Sequence, residues 1–208
     1  MLYTETVEPR TLSLLKELMA IDELSDFNLV GGTALSLQYG HRISIDLDLF
    51  TTSGFSYHKI IACLKSKFGK KFQHEEKESN FGIFCFIDDI KVDLINYNHK
   101  QIDGTIIKKG IRYYSTKDIA AMKIQAILGR GRKKDFWDLA ELFQNFTLEE
   151  IIGFHSKKYP GQQLLISIPQ AIIYFDEADE SEDPISLKGQ SWDGVKKIIQ
   201  KHVGDYLK

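Results

Sequence analysis

The chain has 208 residues, with 27 Lys and Arg against 29 Asp and Glu, a formal charge of −2, and 43% hydrophobic residues. These proportions belong to an ordinary soluble globular chain and exclude a wholly disordered protein, a collagen and a uniformly basic nucleic-acid coat. A chain of this length forms one large domain or two small ones and buries roughly 70% of its unfolded surface, so its core needs no staples.

In chain order, Pro9–Ala20 reads as a helix, because proline suits a first turn and Leu12, Leu15, Leu18 and Met19 recur at helical spacing. Phe27–Val30 is a short strand stopped by Gly31-Gly32, and Thr33 caps a brief helix through Tyr39 that Gly40 ends. Arg42–Phe50 alternates, which predicts a strand with Ile43, Ile45, Leu47 and Leu49 buried and Ser44, Asp46 and Asp48 on the polar face. Ser56–Phe68 reads as a helix. Strands follow at Lys71–Lys77, Phe81–Ile87 and Ile90–Ile95, with Asp88-Asp89 as a tight hairpin turn. Beyond a turn-rich stretch around Gly104 and Gly110, helices are predicted at Thr116–Leu128, Lys133–Phe146, Leu148–His155, Ile166–Phe175 and Trp192–Tyr206, with Asp176–Asp183 as a solvated acidic loop. The expected class is α+β: a small mixed sheet flanked by helices over residues 1–114, then a helical C-terminal region over 115–208.

Cys63 and Cys85 fit no metal-ligand spacing and are too few for a disulfide scaffold, which favours a reducing cytoplasm. The N-terminus has acids where a signal peptide wants a basic start, and no apolar run approaches the ~20 residues that cross a bilayer. A cytoplasmic chain with no membrane partner is expected.

Asp46 and Asp48 lie two apart on the predicted strand, so their carboxylates leave one face, with Cα atoms roughly 6.6 Å apart. That spacing suits oxygen ligands converging on one or two Mg²⁺ ions. Asp93 is a lone acid in the apolar strand Ile90–Ile95, and if the two strands are neighbours three carboxylates share one cleft. Without cations such a trio repels itself, whereas a metal pair removes the conflict and can hold both oxygens of a phosphoryl transfer. Asp-x-Asp by itself reads more readily as the wet face of an amphipathic edge strand.

Gly31-Gly32-Thr33 adds weight to the catalytic reading. Glycines permit a close backbone approach, and the N–H groups at a helix start bind phosphate. Gly31-Gly32-Thr33-Ala34-Leu35-Ser36-Leu37 followed by Arg42-x-Ser44-x-Asp46-Leu47-Asp48-Leu49-Phe50 resembles the signature of the polymerase-β-type nucleotidyltransferase superfamily. Its form is similar to that of the AbiEii/AbiGii toxin family, bacterial nucleotidyltransferases of abortive-infection and toxin–antitoxin loci. Asp93 matches the third carboxylate, and the likeness continues into Lys123 and Lys134-Asp135-Phe136-x-Asp138-Leu139. Gly32 stands where many members of the wider superfamily have Ser.

The resemblance implies a catalytic core over 1–114 and transfer of NMP from an NTP with loss of pyrophosphate. It implies that Gly31, Gly32 and Thr33 hold the triphosphate, that Asp46, Asp48 and Asp93 bind Mg²⁺, and that Arg42, Ser44 and Lys123 meet phosphate oxygens. Lys123 and Asp135 correspond to residues implicated in activity. It further implies the 3′ end of tRNA as acceptor and a separately encoded antitoxin as partner.

Lys123 itself falls within the apolar stripe of Ile119, Met122, Ala126 and Ile127, a costly place for an ammonium unless it reaches solvent or an anion. An ion pair between Lys123 and Asp135 would orient it. Asp135 borders the apolar face of the next helix, and Asp138 points further round. Arg130, Arg132, Lys133 and Lys134 make a basic cluster that reads as a solvated helix start or an RNA-phosphate contact. Tyr113 and Tyr114 read as core packing in preference to base stacking. His41 reads as a structural loop residue, and His155 and His202 as helix surface. Residues 100–134 hold ten Lys or Arg against Asp103 and Asp118, whereas 176–183 hold six acids, so the near-neutral total conceals a basic segment that admits RNA. A nucleotidyltransferase acting on a protein or small molecule would use the same centre, and a catalytically silent nucleotide-binding module would keep the same fold.

Overall fold

A computed structural model describes residues 2–74 and 81–208. Among these residues one mixed seven-stranded sheet forms, built from β1 (Asn28–Leu29), β2 (Leu47–Thr51), β3 (Phe72–His74), β4 (Gly82–Ile87), β5 (Ile90–Asn96), β6 (Ile106–Lys108) and β7 (Ile111–Tyr113). The spatial order is β3-β4-β5-β2-β1-β7-β6. β2 runs parallel to β5 and antiparallel to β1, while β1 runs parallel to β7.

The helices are α1 (Pro9–Met19), α2 (Gly31–Tyr39), α3 (Tyr57–Phe68), α4 (Thr116–Gly129), α5 (Lys133–Leu142), α6 (Leu148–Lys158), α7 (Ile168–Ile172), α8 (Asp176–Asp179) and α9 (Trp192–Tyr206). None of them is long and apolar enough to cross a membrane. A continuous apolar cluster joins the sheet to the helices, running from Leu47, Leu49, Val92 and Leu94 through Ile119, Ala120 and Ile124 to Trp137 and Ile199. The α+β class is as expected, and Tyr113 and Tyr114 are core residues.

Several expectations require correction. The strand predicted from Arg42 begins only at Leu47. Over the preceding residues the burial pattern is inverted: Arg42 and Ser44 are buried and Ile45 is 61% exposed. Side-chain pairing explains it, because Asp138 captures the Arg42 guanidinium and Thr33 the Ser44 hydroxyl, and these interactions outweigh burial of one isoleucine. The freed backbone instead meets a distant segment: Arg42 bridges Ser186, Ile43 N–H donates to Ile185 O at 2.9 Å, and Leu187 N–H donates to His41 O at 2.9 Å.

The β6–β7 hairpin lies in the stretch read as turns, its three-residue strands being too short for an alternating pattern to stand out. The helix expected over Ile166–Phe175 is only Ile168–Ile172, started by the Ser167 hydroxyl cap with Pro169 in its first turn. The acidic run contains the short helix α8 and folds back onto α5, with Lys133 Nζ 2.7 Å from Asp183. His155 is buried rather than superficial, with Nε2 3.0 Å from Gln125 Oε1. The strand expected over Lys71–Lys77 is realised as β3, its last three positions lying outside the described residues. The Asp88-Asp89 turn is as expected, both residues adopting positive φ of 54° and 64°.

A buried ion pair ties α6 to the start of α4. Lys158 Nζ lies 2.7 Å from Asp118 Oδ1, both side chains being fully buried. Asp118 also accepts from the Ile102 and Asp103 N–H groups at 2.8 and 3.2 Å and from the Ser115 hydroxyl at 2.7 Å. Replacing Lys158 with Met strands that carboxylate without its cation. The expected loss of stability is about 3–5 kcal/mol, read from the urea midpoint at constant m-value.

Candidate active site

The glycine turn is shaped by two close approaches. Gly31 opens α2 at φ +69°, where a Cβ would lie 2.8 Å from Asp48 Oδ2; a Cβ on Gly32 would lie 2.0 Å from Arg42 Nη2. Both positions therefore need glycine for space, and Gly31 for its backbone conformation as well. Val30 N–H donates to Asp48 O at 2.9 Å, clamping the turn to β2. Val30 offers no capping side chain to α2, so the helix presents its first-turn N–H groups to the cleft. The Thr33 hydroxyl is buried and engaged: it donates to the Asp46 carbonyl and lies 2.9 Å from Ser44 Oγ. Thr33 fastens the acidic loop from beneath and does not line the cleft.

The carboxylates come together through the sheet. β2 and β5 are parallel neighbours, and the register sets Asp48 directly opposite Asp93. Burial, and then the Asp93 charge, push Asp48 above the ordinary carboxylate range against the pull of Lys91. Asp93 is nearly buried; its Oδ2 accepts from Lys91 Nζ at 2.6 Å, while its Oδ1 is buried with no hydrogen-bond partner. Asp46, just ahead of β2, is half-buried and pairs with Lys134 Nζ at 3.2 Å.

Among the described residues no three His, Cys, Asp or Glu side chains converge with metal-ligand geometry. A divalent cation nevertheless fits the donor set. Two carboxylates lie side by side across adjacent strands, one of them carrying an unpartnered oxygen and the other disfavoured as an uncompensated anion.

Behind the carboxylates lies a network that the sequence reading placed only in part. Asp138, fully buried on α5, accepts from Arg42 Nε at 2.7 Å and Nη2 at 2.9 Å, a two-pronged contact. His41 Nε2 lies 2.7 Å from its Oδ1 and Lys123 Nζ 2.7 Å from its Oδ2. Lys123 also donates to Asp135 at 2.9 Å, the pair expected from the sequence.

Burial would raise Asp138, but the charges of Arg42 and then Lys123 hold it well below the ordinary range, and Asp135 is lowered for the same reason by Lys123. Burial would lower Lys123, yet Asp135 and Asp138 keep it raised, and Arg42 is raised chiefly by Asp138 in the same way. Asp138 and His41 were not predicted as site residues. Their signals were present: Asp138 follows Asp135 at i+3, sharing a helix face, and His41 directly precedes Arg42.

These groups surround a cleft of about 530 Å³ between the sheet and α4–α5. Gly31, Gly32, Arg42, Ser44, Asp46, Asp48, Lys123 and Asp135 all line it; Asp93 lies beside Asp48 without reaching its surface. Arg130 and Lys134 stand at the cleft, so the basic cluster is partly a wall of the site rather than only a solvated helix start. Phe50, Tyr97, Met122 and Ala126 add apolar surface to its lining.

Uncapped helix N–H groups, paired carboxylates and anchored cations meet around one cleft, a set of groups suited to nucleotide transfer. A model of the nucleotidyl transferase AbiEii toxin, type IV toxin–antitoxin system, matches residues 13–159. The chain belongs to that family and is a nucleotidyltransferase, and membership implies an NTP substrate and an antitoxin partner.

The uncharacterized protein aq_aa25 of Aquifex aeolicus (strain VF5) is 31% identical over 201 residues, covering 93% of this chain and 94% of its own. Among solved structures, JHP933 from Helicobacter pylori is similar with a TM-score of 0.58 at 16% identity, covering 95% of this chain and 92% of its own. MenT4, the nucleotidyltransferase toxin Rv2826c of Mycobacterium tuberculosis H37Rv, is similar with a TM-score of 0.53 at 11% identity, covering 93% and 84%. At these identities the structural likeness concerns the fold.

Removing the shared anion should be costly. Asp138→Asn leaves two buried cations short of a carboxylate, with an expected loss of about 3–5 kcal/mol in urea unfolding. The pH dependence has a definite sign. Asp138 and Asp135 have lowered folded values, so their contribution is complete above the unfolded value near ~4 and is lost as pH falls through the folded values. Acid titration of stability should therefore fall steeply below about pH 4 in the native chain, and less steeply in Asp138→Asn.

Proposed function

We propose that the chain moves NMP from an NTP onto the 3′ end of tRNA in a Mg²⁺-dependent reaction. The observation that carries the transfer reading is the lateral pairing of Asp48 with Asp93 beside the glycine turn. The acceptor hydroxyl attacks the α-phosphorus, a new oxygen–phosphorus bond forms, the bond to the bridging oxygen breaks, and pyrophosphate leaves.

Each group of the chain has a part suited to its surroundings. The leading N–H groups of α2 donate to phosphate oxygens. Arg42 and Lys123, oriented by Asp138 and Asp135, form a fixed positive wall that need not reorganise as charge develops. Lys134 and Arg130 supply further cations at the cleft, and the Ser44 hydroxyl offers a hydrogen bond beside them. The carboxylate cluster, whose Asp46 and Asp48 line the cleft with Asp93 beside them, takes the proton of the attacking hydroxyl. A divalent cation such as Mg²⁺, or a pair of them, held by Asp48 and Asp93 with Asp46, would neutralise phosphate charge as a Lewis acid. For tRNA the support is the basic character of residues 100–134, whose Lys123, Arg130 and Lys134 stand at the cleft.

Incubation with each α-³²P NTP, Mg²⁺ and total RNA, and in parallel with protein extract, tests this reading. Label in tRNA is expected; label confined to protein would overturn the acceptor. Asp48→Asn should lower transfer by at least ~10²-fold. Equal labelling by the two proteins would overturn the carboxylate centre, and undiminished labelling in excess EDTA would overturn metal dependence. Because Asp48 is raised, a proton competes with the cation, so Mg²⁺ affinity measured by calorimetry should increase with pH through the range just above ordinary carboxylates.

A further inference from the structure

Nucleotidyl transfer requires a second substrate, and the sheet carries an exposed aromatic surface beside the carboxylates. The two faces of β4 differ sharply. Ile83, Cys85 and Ile87 point into the core, whereas Phe84 and Phe86 are 44% and 49% exposed. Two phenylalanines displayed on one face of a strand are an unusual expense of apolar area, and such displays mark interaction sites.

The register ties this surface to the chemistry. Phe84 is paired across to Asp93, and Asp93 across to Asp48, so the three side chains form one row on one face. Neighbouring strands lie ~4.8 Å apart, which sets Phe84 about 5 Å from Asp93 and about 10 Å from Asp48 in backbone position. In the adjoining row Phe86 is paired with Lys91, whose ammonium bonds to Asp93. Phe81, 58% exposed, stacks on Phe84 with ring centroids 6.4 Å apart and planes at 27°. An aromatic platform thus continues the row of carboxylates toward the sheet edge, on the side away from the cleft that takes the triphosphate.

We propose that Phe84 and Phe86 are a base-stacking platform that holds the unpaired end of a single-stranded nucleic acid with its terminal hydroxyl directed along the row toward the Asp48 carboxylate at the cleft. The proposal rests on the nucleotidyl-transfer reading and adds the place and chemistry of acceptor binding. Aromatic rings on an open sheet face stack on unpaired bases without regard to sequence, because every base has a π-face. Continuity with Asp93 favours that occupant over an unrelated protein surface. The platform contributes stacking, and Lys91 contributes a cation alongside it. Phe84 and Phe86 are positioning residues, since they touch the acceptor and not the reacting atoms.

Fluorescence anisotropy on the full chain tests the idea with a 5′-labelled twelve-nucleotide oligo(A) RNA and with an abasic ribose-phosphate strand of equal length and charge. Oligo(A) should bind at least about fivefold more tightly than the abasic strand, with each stacked base worth about 5–150-fold. Phe84→Leu and Phe86→Leu keep apolar bulk but remove the ring. Each should weaken oligo(A) binding about fivefold or more and leave abasic binding unchanged, and Phe84→Trp should restore it. Ile107→Ala, at the opposite edge of the sheet, should alter neither.

Equal affinity of the native chain for both strands, or native affinity in both Leu variants, would overturn the platform. So would a dimer in sedimentation that the Leu substitutions dissociate without a change in RNA binding; that face would then join two copies of the chain. NTP binding is measured separately on the same samples. RNA stacking without any NTP binding or transfer would sink the enzymatic reading and keep the platform; transfer to RNA with no sensitivity to either Leu substitution would do the reverse.

Discussion

One buried carboxylate organises the site. Asp138 is excluded from solvent and surrounded by His41, Arg42 and Lys123, drawn from the turn after α2 and from α4. A lone anion in that position would be expelled or protonated, and without it Arg42 would lose its carboxylate and Lys123 would keep Asp135 alone. Each charge is acceptable only because the others are there. The energetic result is a stiff triangle between the loop before β2, α4 and α5. The chemical result is two cations, Arg42 and Lys123, whose orientation does not depend on what enters the cleft.

The glycine turn is the counterpart of that rigidity. Arg42, held by Asp138, presses so close to Gly32 that no side chain fits there, and Asp48 does the same to Gly31. Backbone, guanidinium and carboxylate are packed as a single unit. The aspartates pull in the other direction. Asp48 and Asp93 repel one another across adjacent strands, and Lys91, with a smaller pull from Lys123, offsets part of that repulsion. A satisfied scaffold therefore surrounds an unsatisfied centre, the arrangement expected where interaction energy is kept for a bound substrate.

Much of this was legible in the sequence because it follows local rules. The Gly31-Gly32 turn, the lone Asp93 in an apolar strand and a lysine in the core stripe of α4 each break a pattern, and a broken pattern is readable. The Lys123–Asp135 pair followed from asking how that lysine could be tolerated. The segment from Arg42 to Asp46 was misread for the opposite reason. Its alternation is a sound strand signal, but the winning interaction comes from Asp138, nearly a hundred positions away. Periodicity reports what a segment prefers among its neighbours and is silent about a partner so remote. His155 hid in the same way, its partner Gln125 lying on another helix.

The ladder between residues 41–43 and 185–187 has a temporal meaning. A chain leaves the ribosome from its N-terminus, so the acidic strand and glycine turn emerge early. The loop that carries Arg42 is completed only when Asp138 has followed and when Ile185 to Leu187 arrive to hydrogen-bond His41 and Ile43. Until residues 185–187 have been translated, that loop lacks the backbone hydrogen bonds that hold it in place.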